Sequence, residues 1–592
     1  MCGLVGYIGK NNAKDILLSS LELLEYRGYD SSGIAIRIND SIVTYKDIGR
    51  VSHLRSIIKD NIYSNIGIGH TRWATHGSVN RINAHPHSSF DGRFTLVHNG
   101  VIENYLELKM MYLSDVDFIS STDSEVVVNL LSYFIRKCSI EEALRKLISV
   151  LKGSFALVIF DRDNMDRLYV IKNKTPLLIG KGNDEIMVSS DALAFINSID
   201  SYICLDDMEY AILCKNSVKV FDSRGNIVLH NEIKNDTNKE EISKGDYPYY
   251  MLKEIEEIPS CIERVRNKYI YEGHITIDES LLSEIRDSDI IYVASCGTSY
   301  YASLYFKYIM EKEYKKKVDV LIASEYIYSF EAIGRNPFII VVSQSGETQD
   351  VISFVSKCKE KGLRTLCITN TRYSTLEREC DYSLSLEARK EVAVASTKAY
   401  VNEVVLFYFL EKAIMNDINR VVVDIDELLI SVKDVISRNK EIDNIVKQIV
   451  SKDHLYYVGR ELGYYGSLEA ELKLKEISYI HAEGLSSSEL KHGSIALIDS
   501  SFPTIALIDN MIDELLVRSN LQEIKSRDGM TFVITYSPFY KDGDSLSLKL
   551  VDSSLRIIPL VVVSQYIAYK CALLKGNDID KPRNLAKSVT VL

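Results

Sequence analysis

Beyond about residue 256 the chain keeps returning to one pattern: a short apolar run, a turn rich in serine or glycine, then a helix-period stretch. Ile290-Ile291-Tyr292-Val293-Ala294 leads into Ser295-Cys296-Gly297-Thr298-Ser299 and a long helix. Ile339-Ile340-Val341-Val342 leads into Ser343-Gln344-Ser345-Gly346-Glu347-Thr348 and a helix holding Val351, Ile352 and Phe354. Apolar runs of that length alternating with helices call for parallel α/β units. His454-Leu455-Tyr456-Tyr457-Val458-Gly459-Arg460 repeats the strand and turn, and Ser467–Ile480 the helix. His481-Ala482-Glu483 then corresponds to Ala323-Ser324-Glu325, so two tandem domains of one fold are expected.

A hydroxyl- and amide-rich turn between strand and helix aims backbone N–H groups and the helix N-terminus at an anion. Each turn alone also reads as a plain capped loop. Two of them at matching positions favour a phosphate. In the second copy Glu469, Lys473 and Glu476 fall at i, i+4 and i+7 and share one helix face. That face reads either as a solvated salt-bridged surface or, with Glu489-Leu490-Lys491-His492-Gly493 close behind, as chemistry. A carboxylate, a lysine and a histidine suit aldose–ketose isomerisation: His492 opens the ring, Glu476 moves a proton between C1 and C2, and Lys473 steadies the oxygens.

The first third is different. Leu4–Ile8 is a short strand, Ala13–Tyr26 a helix with Ile16, Leu17, Leu21 and Leu24 at helical spacing, and strands dominate to about residue 100. Cys2 becomes the first residue once Met1 is trimmed, which places a thiol and a free α-amine on one residue. Their ordinary pKa values are about 8.5 and about 7.7–8.0, so the amine can take the proton of its own sulfur. On position alone Cys2 is equally the second residue of a strand. Gly69-His70-Thr71-Arg72-Trp73-Ala74-Thr75-His76-Gly77 holds the chain's one Trp, and Arg72 suits a bidentate grip on a carboxylate. Val97-His98-Asn99-Gly100 offers an oxyanion hole from Asn99 and the Gly100 N–H, or an ordinary hairpin turn. Thr122-Asp123-Ser124-Glu125 reads as a capping box, with Asp123 either a cap or a partner for an ammonium. Five of the eleven His lie between His70 and His98; without ligand spacing they are expected to serve as hydrogen-bonding groups, not as a metal site.

At 592 residues the chain is expected to form three to four domains. A formal net charge of −12 argues against a nucleic-acid binder. Ten Cys without any C-x-x-C pair give a reduced, cytoplasmic pattern without structural zinc. No signal peptide and no run of 18 uninterrupted apolar residues points to a membrane. No metal or cofactor is called for.

Cys2-Gly3, Arg27-Gly28-Tyr29-Asp30-Ser31, His70 to Gly77, Asn83-Ala84-His85-Pro86-His87 and His98-Asn99-Gly100 together resemble, in this order, the glutaminase domain of class II glutamine amidotransferases. That resemblance implies an α+β N-terminal nucleophile fold of four αββα layers over residues 2–230. It makes Cys2 the nucleophile and Asn99 and Gly100 the oxyanion hole. Arg72, Thr75, His76 and Asp123 would hold the α-carboxylate and α-amine of L-glutamine, with Trp73 beside the ammonia passage. The serine-rich turns resemble sugar isomerase (SIS) domains, which bind phosphosugars. The charged stretch from residue 231 to 255 reads as a linker, with SIS domains over 256–435 and 436–592. Pro582-Arg583-Asn584-Leu585-Ala586-Lys587-Ser588-Val589-Thr590-Val591, with Val394-Ala395-Ser396-Thr397-Lys398-Ala399, resembles the family of isomerising glutamine–fructose-6-phosphate aminotransferases.

By that resemblance Lys587 forms a Schiff base with the ketose of fructose 6-phosphate. Thr298, Ser299, Ser343, Gln344, Ser345 and Thr348 contact the sugar phosphate, together with Val394, Ser396 and Ala586. A homodimer is also implied. Ser494, where family members have Pro, and Leu485-Ser486-Ser487-Ser488 depart from the pattern. The rivals are amination or deglycation of a different phosphosugar, and a catalytically lapsed sugar-phosphate sensor.

Overall fold

The structure is a computed structural model that describes residues 2–73, 77–196, 198–235 and 243–589. Its chain divides into two compact units, residues 1–241 with 586–592, and residues 242–585.

The first unit holds two antiparallel sheets, one of eight strands and one of seven. Gly3–Gly9 lies inside the larger sheet, hydrogen-bonded to Ile66–Arg72 on one side and Glu185–Ser189 on the other. Phe94–Ile102 lies in the smaller sheet beside Gly153–Asp161. Successive side chains of a strand face opposite ways, and Gly153–Asp161 shows why its sequence is apolar throughout. Phe155, Leu157 and Ile159 join a core with the helices Asp123–Ile135 and Ile140–Val150. Ala156, Val158 and Phe160 join a second core with Leu4, Ile68 and Val188 of the larger sheet. The helix Ala13–Leu24 covers that sheet's far side against Gly3–Gly9 and Ile66–Arg72. The layers are therefore α, β, β, α, and each fully buried Leu, Ile or Phe contributes about 1.5–3 kcal/mol.

The second unit holds two five-stranded sheets, both parallel throughout. In chain order the strands of the first are Ile290–Ser295, Val318–Ile322, Pro337–Val342, Thr365–Thr369 and Tyr382–Ser385. They lie side by side as second, first, third, fourth, fifth. The strands His454–Gly459, His481–Ser486, Pro503–Ile508, Met530–Tyr536 and Leu546–Leu548 repeat that order. An identical order in both makes them two copies of one fold. In such a sheet the crevice for a ligand opens at the carboxyl ends of the first and third strands, where the crossovers part. The first copy puts both of its serine-rich turns there.

Helices shared by the two copies fill the space around them. Lys398–Met415 is buried along almost its whole length and packs on Gly297–Ile309, which in turn packs on Leu462–Ser478. The stretch Ser554–Leu574 is long and apolar enough to cross a membrane, yet 83% of it is buried inside the unit. It is a core helix, packed along Leu462–Ser478.

The units divide the chain somewhat differently from the spacing of motifs. Ile233–Lys234, expected in the linker, pairs with Ser201–Tyr202 and belongs to the larger sheet of the first unit. The expected boundary at 435/436 falls inside the helix Val421–Ser437, so the two copies share that element. Asp580 accepts hydrogen bonds from the N–H groups of Tyr250 (2.9 Å) and Met251 (3.0 Å), which ties the end of the second copy to the first helix of the unit.

Candidate active sites

Cys2 is half-buried at the head of its strand. Its Sγ accepts from the Trp73 N–H at 3.3 Å and lies 3.6 Å from the Trp73 carbonyl. Burial pushes the thiol up from its ordinary value, against the opposing pulls of the N-terminal ammonium, the Trp73 N–H and Arg72. A thiol held protonated in this way needs a base before it can act as a nucleophile. Gly3 is required behind it, because a Cβ there would lie 2.6 Å from Thr71 Oγ1 and 2.7 Å from Leu24 Cβ.

A small cleft opens at Cys2, lined by Arg72, Trp73, His98, Gly100 and Asp123 among others. Six of the sequence candidates therefore meet within it or at its edge: Cys2, Arg72, Trp73, Gly100 and Asp123 line it, and Asn99 donates to the Cys2 carbonyl at 2.8 Å. Thr75 and His76 lie outside the described residues. The Arg72 guanidinium is buried and held by the carbonyls of Gly77 (3.2 Å) and Ser78 (3.4 Å).

Two sequence readings need correction. Asn99-Gly100 is not a hairpin turn: the strand runs on to Ile102, with Asn99 opposite Ala156 and Gly100 opposite Phe155. Gly100 has φ of 120°, and a Cβ there would meet the Ser154 carbonyl oxygen at 2.0 Å. Only glycine allows this close approach, and it leaves the Gly100 backbone exposed to the cleft. Thr122-Asp123-Ser124-Glu125 is not a capping box either. Thr122 makes no side-chain cap; Glu125 instead accepts from the N–H groups of Ile119 and Ser120, and Asp123 from that of Ile102 at 2.8 Å. Asp123 thus faces the cleft from a neighbouring element.

Behind the cleft, His70, His85, His87 and His98 are all buried. The His70 and His85 rings stack at 4.2 Å, and His85 meets His87 edge-on at 4.7 Å. Burial drives His70 down to about 3, with His85 and His87 pushed well below their ordinary value. Neutral rings pack as they do here; protonated ones would repel. His70 Nε2 contacts the His98 carbonyl (2.9 Å) and Asn99 Oδ1 (3.0 Å), which orients the Asn99 amide so that its NH2 points to Cys2. If the Gly100 N–H serves as an oxyanion donor, a Gly100→Ala variant, whose Cβ would force that backbone away from Ser154, is expected to release glutamate from glutamine about 10²–10³-fold more slowly, the scale of losing one such donor's alignment. It should also lose about 1–3 kcal/mol of stability from backbone strain. Glutamate release and a denaturant titration measure the two effects.

In the second unit the turn Ser343 to Thr348 is hydrogen-bonded within itself. Ser343 Oγ meets Thr348 Oγ1 at 2.8 Å and accepts from the Gly346 N–H at 3.1 Å, while Ser345 Oγ accepts from the Glu347 N–H at 3.2 Å. Glu347 anchors the turn by accepting from the Thr375 N–H and hydroxyl, both at 2.8 Å. The helix Gln349–Glu360 that follows has no side-chain cap, and neither has Gly297–Ile309 at the other turn. Two uncapped helix N-termini thus meet at the crevice, with first-turn N–H groups left for a ligand. The second copy differs: Asn510 caps its corresponding helix, and Asp509 stands at the end of the third strand. Asp509 is buried and accepts from Arg556 Nε at 3.0 Å.

Thr298 sits in the first turn of its helix and joins the Glu469-Lys473-Glu476 face of the second copy. Lys473 Nζ donates to Thr298 Oγ1 at 3.0 Å and to Glu476 at 2.7 Å, and lies 3.6 Å from Glu469. The solvated-surface reading fails here, since Glu469 and Lys473 are fully buried and Glu476 is half-buried. Ser299 is turned inward, donating to Glu403 at 2.7 Å. Ser396 donates to Glu391 at 2.7 Å; the same carboxylate accepts from the N–H groups of Thr397 and Ala399 and so starts the helix Lys398–Met415. Val394 is buried beside it. Glu391 and Glu403 were not singled out from sequence. The signal was present for Glu403: one acid, beside Asn402, inside the largely apolar helical run Val401 to Leu410.

His492 is not brought to Glu476. It lies exposed on the turn Glu489–His492 and makes no hydrogen bond or ion pair among the described residues. Ala586 and Lys587 are half-buried in the tail that belongs to the first unit, so they do not share a unit with Lys473 and Glu476.

With that geometry in hand the chain can be compared with known proteins. Residues 70–197 match the glutamine amidotransferase domain family, and residues 284–412 and 448–541 match the SIS domain family. The glutamine–fructose-6-phosphate aminotransferase [isomerizing] of Bacillus thuringiensis subsp. konkukian is 44% identical over 600 residues, covering 100% of both chains. The protein of that name from Listeria innocua serovar 6a is 42% identical, again over 100% of both. Among solved structures, the C-terminal domain of glucosamine-fructose-6-phosphate aminotransferase from Francisella tularensis covers 57% of this chain and 99% of its own, at 32% identity and a TM-score of 0.54. The Cys2 cleft, the twin parallel sheets and full-length identity at this level lead to one conclusion: this chain belongs to the isomerising glutamine–fructose-6-phosphate aminotransferase family.

Proposed function

We propose that this chain converts fructose 6-phosphate and L-glutamine into glucosamine 6-phosphate and glutamate, passing ammonia internally from the Cys2 site to the sugar site. The observation that carries this reading is the meeting of Cys2, Arg72, Asn99, Gly100 and Asp123 in one chain with the Lys473–Glu476 pair beside uncapped serine-rich turns. Cys2 attacks the side-chain amide, with its own α-amine as base, and Asn99 and the Gly100 N–H stabilise the oxyanion. Arg72 and Asp123, with Thr75 and His76, hold the amino-acid end of glutamine, and Trp73 borders the exit of ammonia.

In the sugar half, Ser343, Gln344, Ser345, Thr348, Thr298 and the two helix N-termini take the phosphate, with Ser299, Val394, Ser396 and Ala586 shaping the pocket. One such pocket exists per chain on this reading, because Asn510 caps the second copy's corresponding helix and takes up a first-turn N–H there. Lys587 forms the Schiff base, Glu476 moves the proton and Lys473 steadies the oxygens. His492 opens the ring; its exposed turn means that the expected homodimer is the contact that would carry it to a sugar site. Domains at 2–235, about 250–437 and 438–585, with a catalytic tail, and a cytoplasmic setting complete the proposal; all ten Cys are free.

The test is incubation with glutamine and fructose 6-phosphate, then with other ketose and aldose phosphates in its place. Amino sugar from fructose 6-phosphate, abolished in a Lys587→Ala variant, supports the assignment. Amino sugar made only from another phosphosugar overturns the substrate, and full synthase activity in Lys587→Ala overturns the role of the tail.

A further inference from the structure

The carboxyl group of Glu469 takes no part in the scheme above, and its surroundings are unusual. It is fully buried in the middle of the helix Leu462–Ser478, one turn before Lys473. Oε1 accepts from the Thr298 hydroxyl at 3.4 Å and lies 3.6 Å from Lys473 Nζ; Oε2 is buried with no hydrogen-bond partner among the described residues. Lys473 leans the other way, to Glu476 at 2.7 Å. The charged or titratable groups that face Glu469 are Lys473 and Glu476 on its own helix, Tyr301 on Gly297–Ile309, and Glu403 and Tyr400 on Lys398–Met415. One cation therefore faces three carboxyl groups, of which Glu469 and Glu403 are fully buried and Glu476 is half-buried. Three ionised carboxylates around one ammonium would leave uncompensated buried charge, which is several times more costly than a neutral acid.

We propose that Glu469 is a positioning residue for isomerisation: it holds a proton in the resting enzyme and yields it when Glu476 takes one from the sugar. The inference rests on the reading of Lys473 and Glu476 as the isomerase pair. In the resting state the ammonium of Lys473 is balanced by the carboxylate of Glu476, with Glu469 neutral. When C1 of the C2 imine loses its proton to Glu476, the C–H electron pair forms the C1=C2 bond, the C=N pair moves onto nitrogen, and Glu476 becomes neutral. Lys473 would then stand in the interior without a counter-ion. The Thr298 hydroxyl turns to take the Glu469 proton and gives its own to the sugar nitrogen that received the electron pair, which restores one carboxylate beside one ammonium. The charge within the site is the same before and after, and one proton has moved on at each end. Burial, the first of the causes, pushes Glu469 up to about 8, which keeps the proton on at neutral pH yet lets it leave.

Three measurements test this on the full-length enzyme. Glu469→Gln keeps the shape and neutrality of the resting group but cannot release a proton. Its synthase kcat is expected to fall about 10²-fold, with KM for fructose 6-phosphate and glutaminase activity within about 3-fold of the parent. The wild-type kcat is expected to decline as pH rises through about 8, and this alkaline limb should vanish in the variant. Infrared difference spectra of wild type minus Glu469→Gln should show a protonated carboxyl band at pH 7 that disappears at higher pH. A variant with parental kcat and an unchanged alkaline limb, or spectra without that band at pH 7, would overturn the proposal. The infrared result does not depend on the isomerase assignment; if Glu476→Gln leaves synthesis intact while the band is present, that assignment has failed and the buried proton has not.

Discussion

A Cys2→Ala variant is expected to make no amino sugar from glutamine while still making it from ammonium salts. On the proposed mechanism the thiol forms the bond to the glutamine carbonyl carbon, and its removal acts on the scale of other nucleophile deletions, about 10⁴-fold or more. Its structural contacts are weak: sulfur to the Trp73 N–H at 3.3 Å and to the Trp73 carbonyl at 3.6 Å. The variant should therefore unfold within about 1 kcal/mol of the parent, the ordinary range for a small change without a buried partner left behind. Glutamate release, ammonium-driven synthesis and a melting curve check the three parts. Glutamine-driven synthesis at more than a trace would contradict the nucleophile.

The second large effect is at Lys473. A Lys473→Met variant keeps the length of the side chain and removes its charge. Glu476 then loses its cation at 2.7 Å in a site where Lys473 itself is fully buried. Breaking a buried pair by removing one partner costs about 3–5 kcal/mol; half-burial of Glu476 allows water to return to it, so about 2–3 kcal/mol is expected here. Synthesis should fall by at least about 10³-fold, since both the oxygen contact and the charge balance go, while glutaminase activity stays near parental. The destabilisation should grow with pH. Glu469 has its pKa raised by burial to about 8, against about 4.3 in an unfolded chain. Between those values the folded state binds more protons than the unfolded one, so the group's contribution to stability falls as pH rises. Without Lys473 to favour the ionised form, that penalty deepens. Equal stability of variant and parent across pH 6–9 would mean that the face is solvated after all.

How much of this was legible in the sequence differs by element. The tandem parallel sheets were, because Ile290–Ala294 and Ile339–Val342 are apolar runs buried on both faces and their turns recur in order. The capping box at Thr122, and the hairpin alternative at Asn99-Gly100, fail for a common reason. Both motifs satisfy local rules, but here long-range partners claim the groups: Asp123 bonds across to Ile102, and Gly100 is wedged against Ser154. Local patterns cannot show which strand lies alongside. The Glu469-Lys473-Glu476 face had the same ambiguity, because helical spacing says which residues share a face and not what covers it. Tertiary packing by Gly297–Ile309 turned a surface pattern into a buried charge cluster. The exposure of His492 was not legible at all, since its motif carries no information about what it faces.

The central claim is that nitrogen from the Cys2 site reaches the sugar without leaving the protein. It is tested most directly with glutamine labelled in its side-chain amide with heavy nitrogen, incubated with fructose 6-phosphate and an excess of unlabelled ammonium below the level that drives synthesis alone. The account predicts glucosamine 6-phosphate carrying the label in one-to-one ratio with glutamate. Label diluted to the composition of the bulk ammonium would contradict internal transfer.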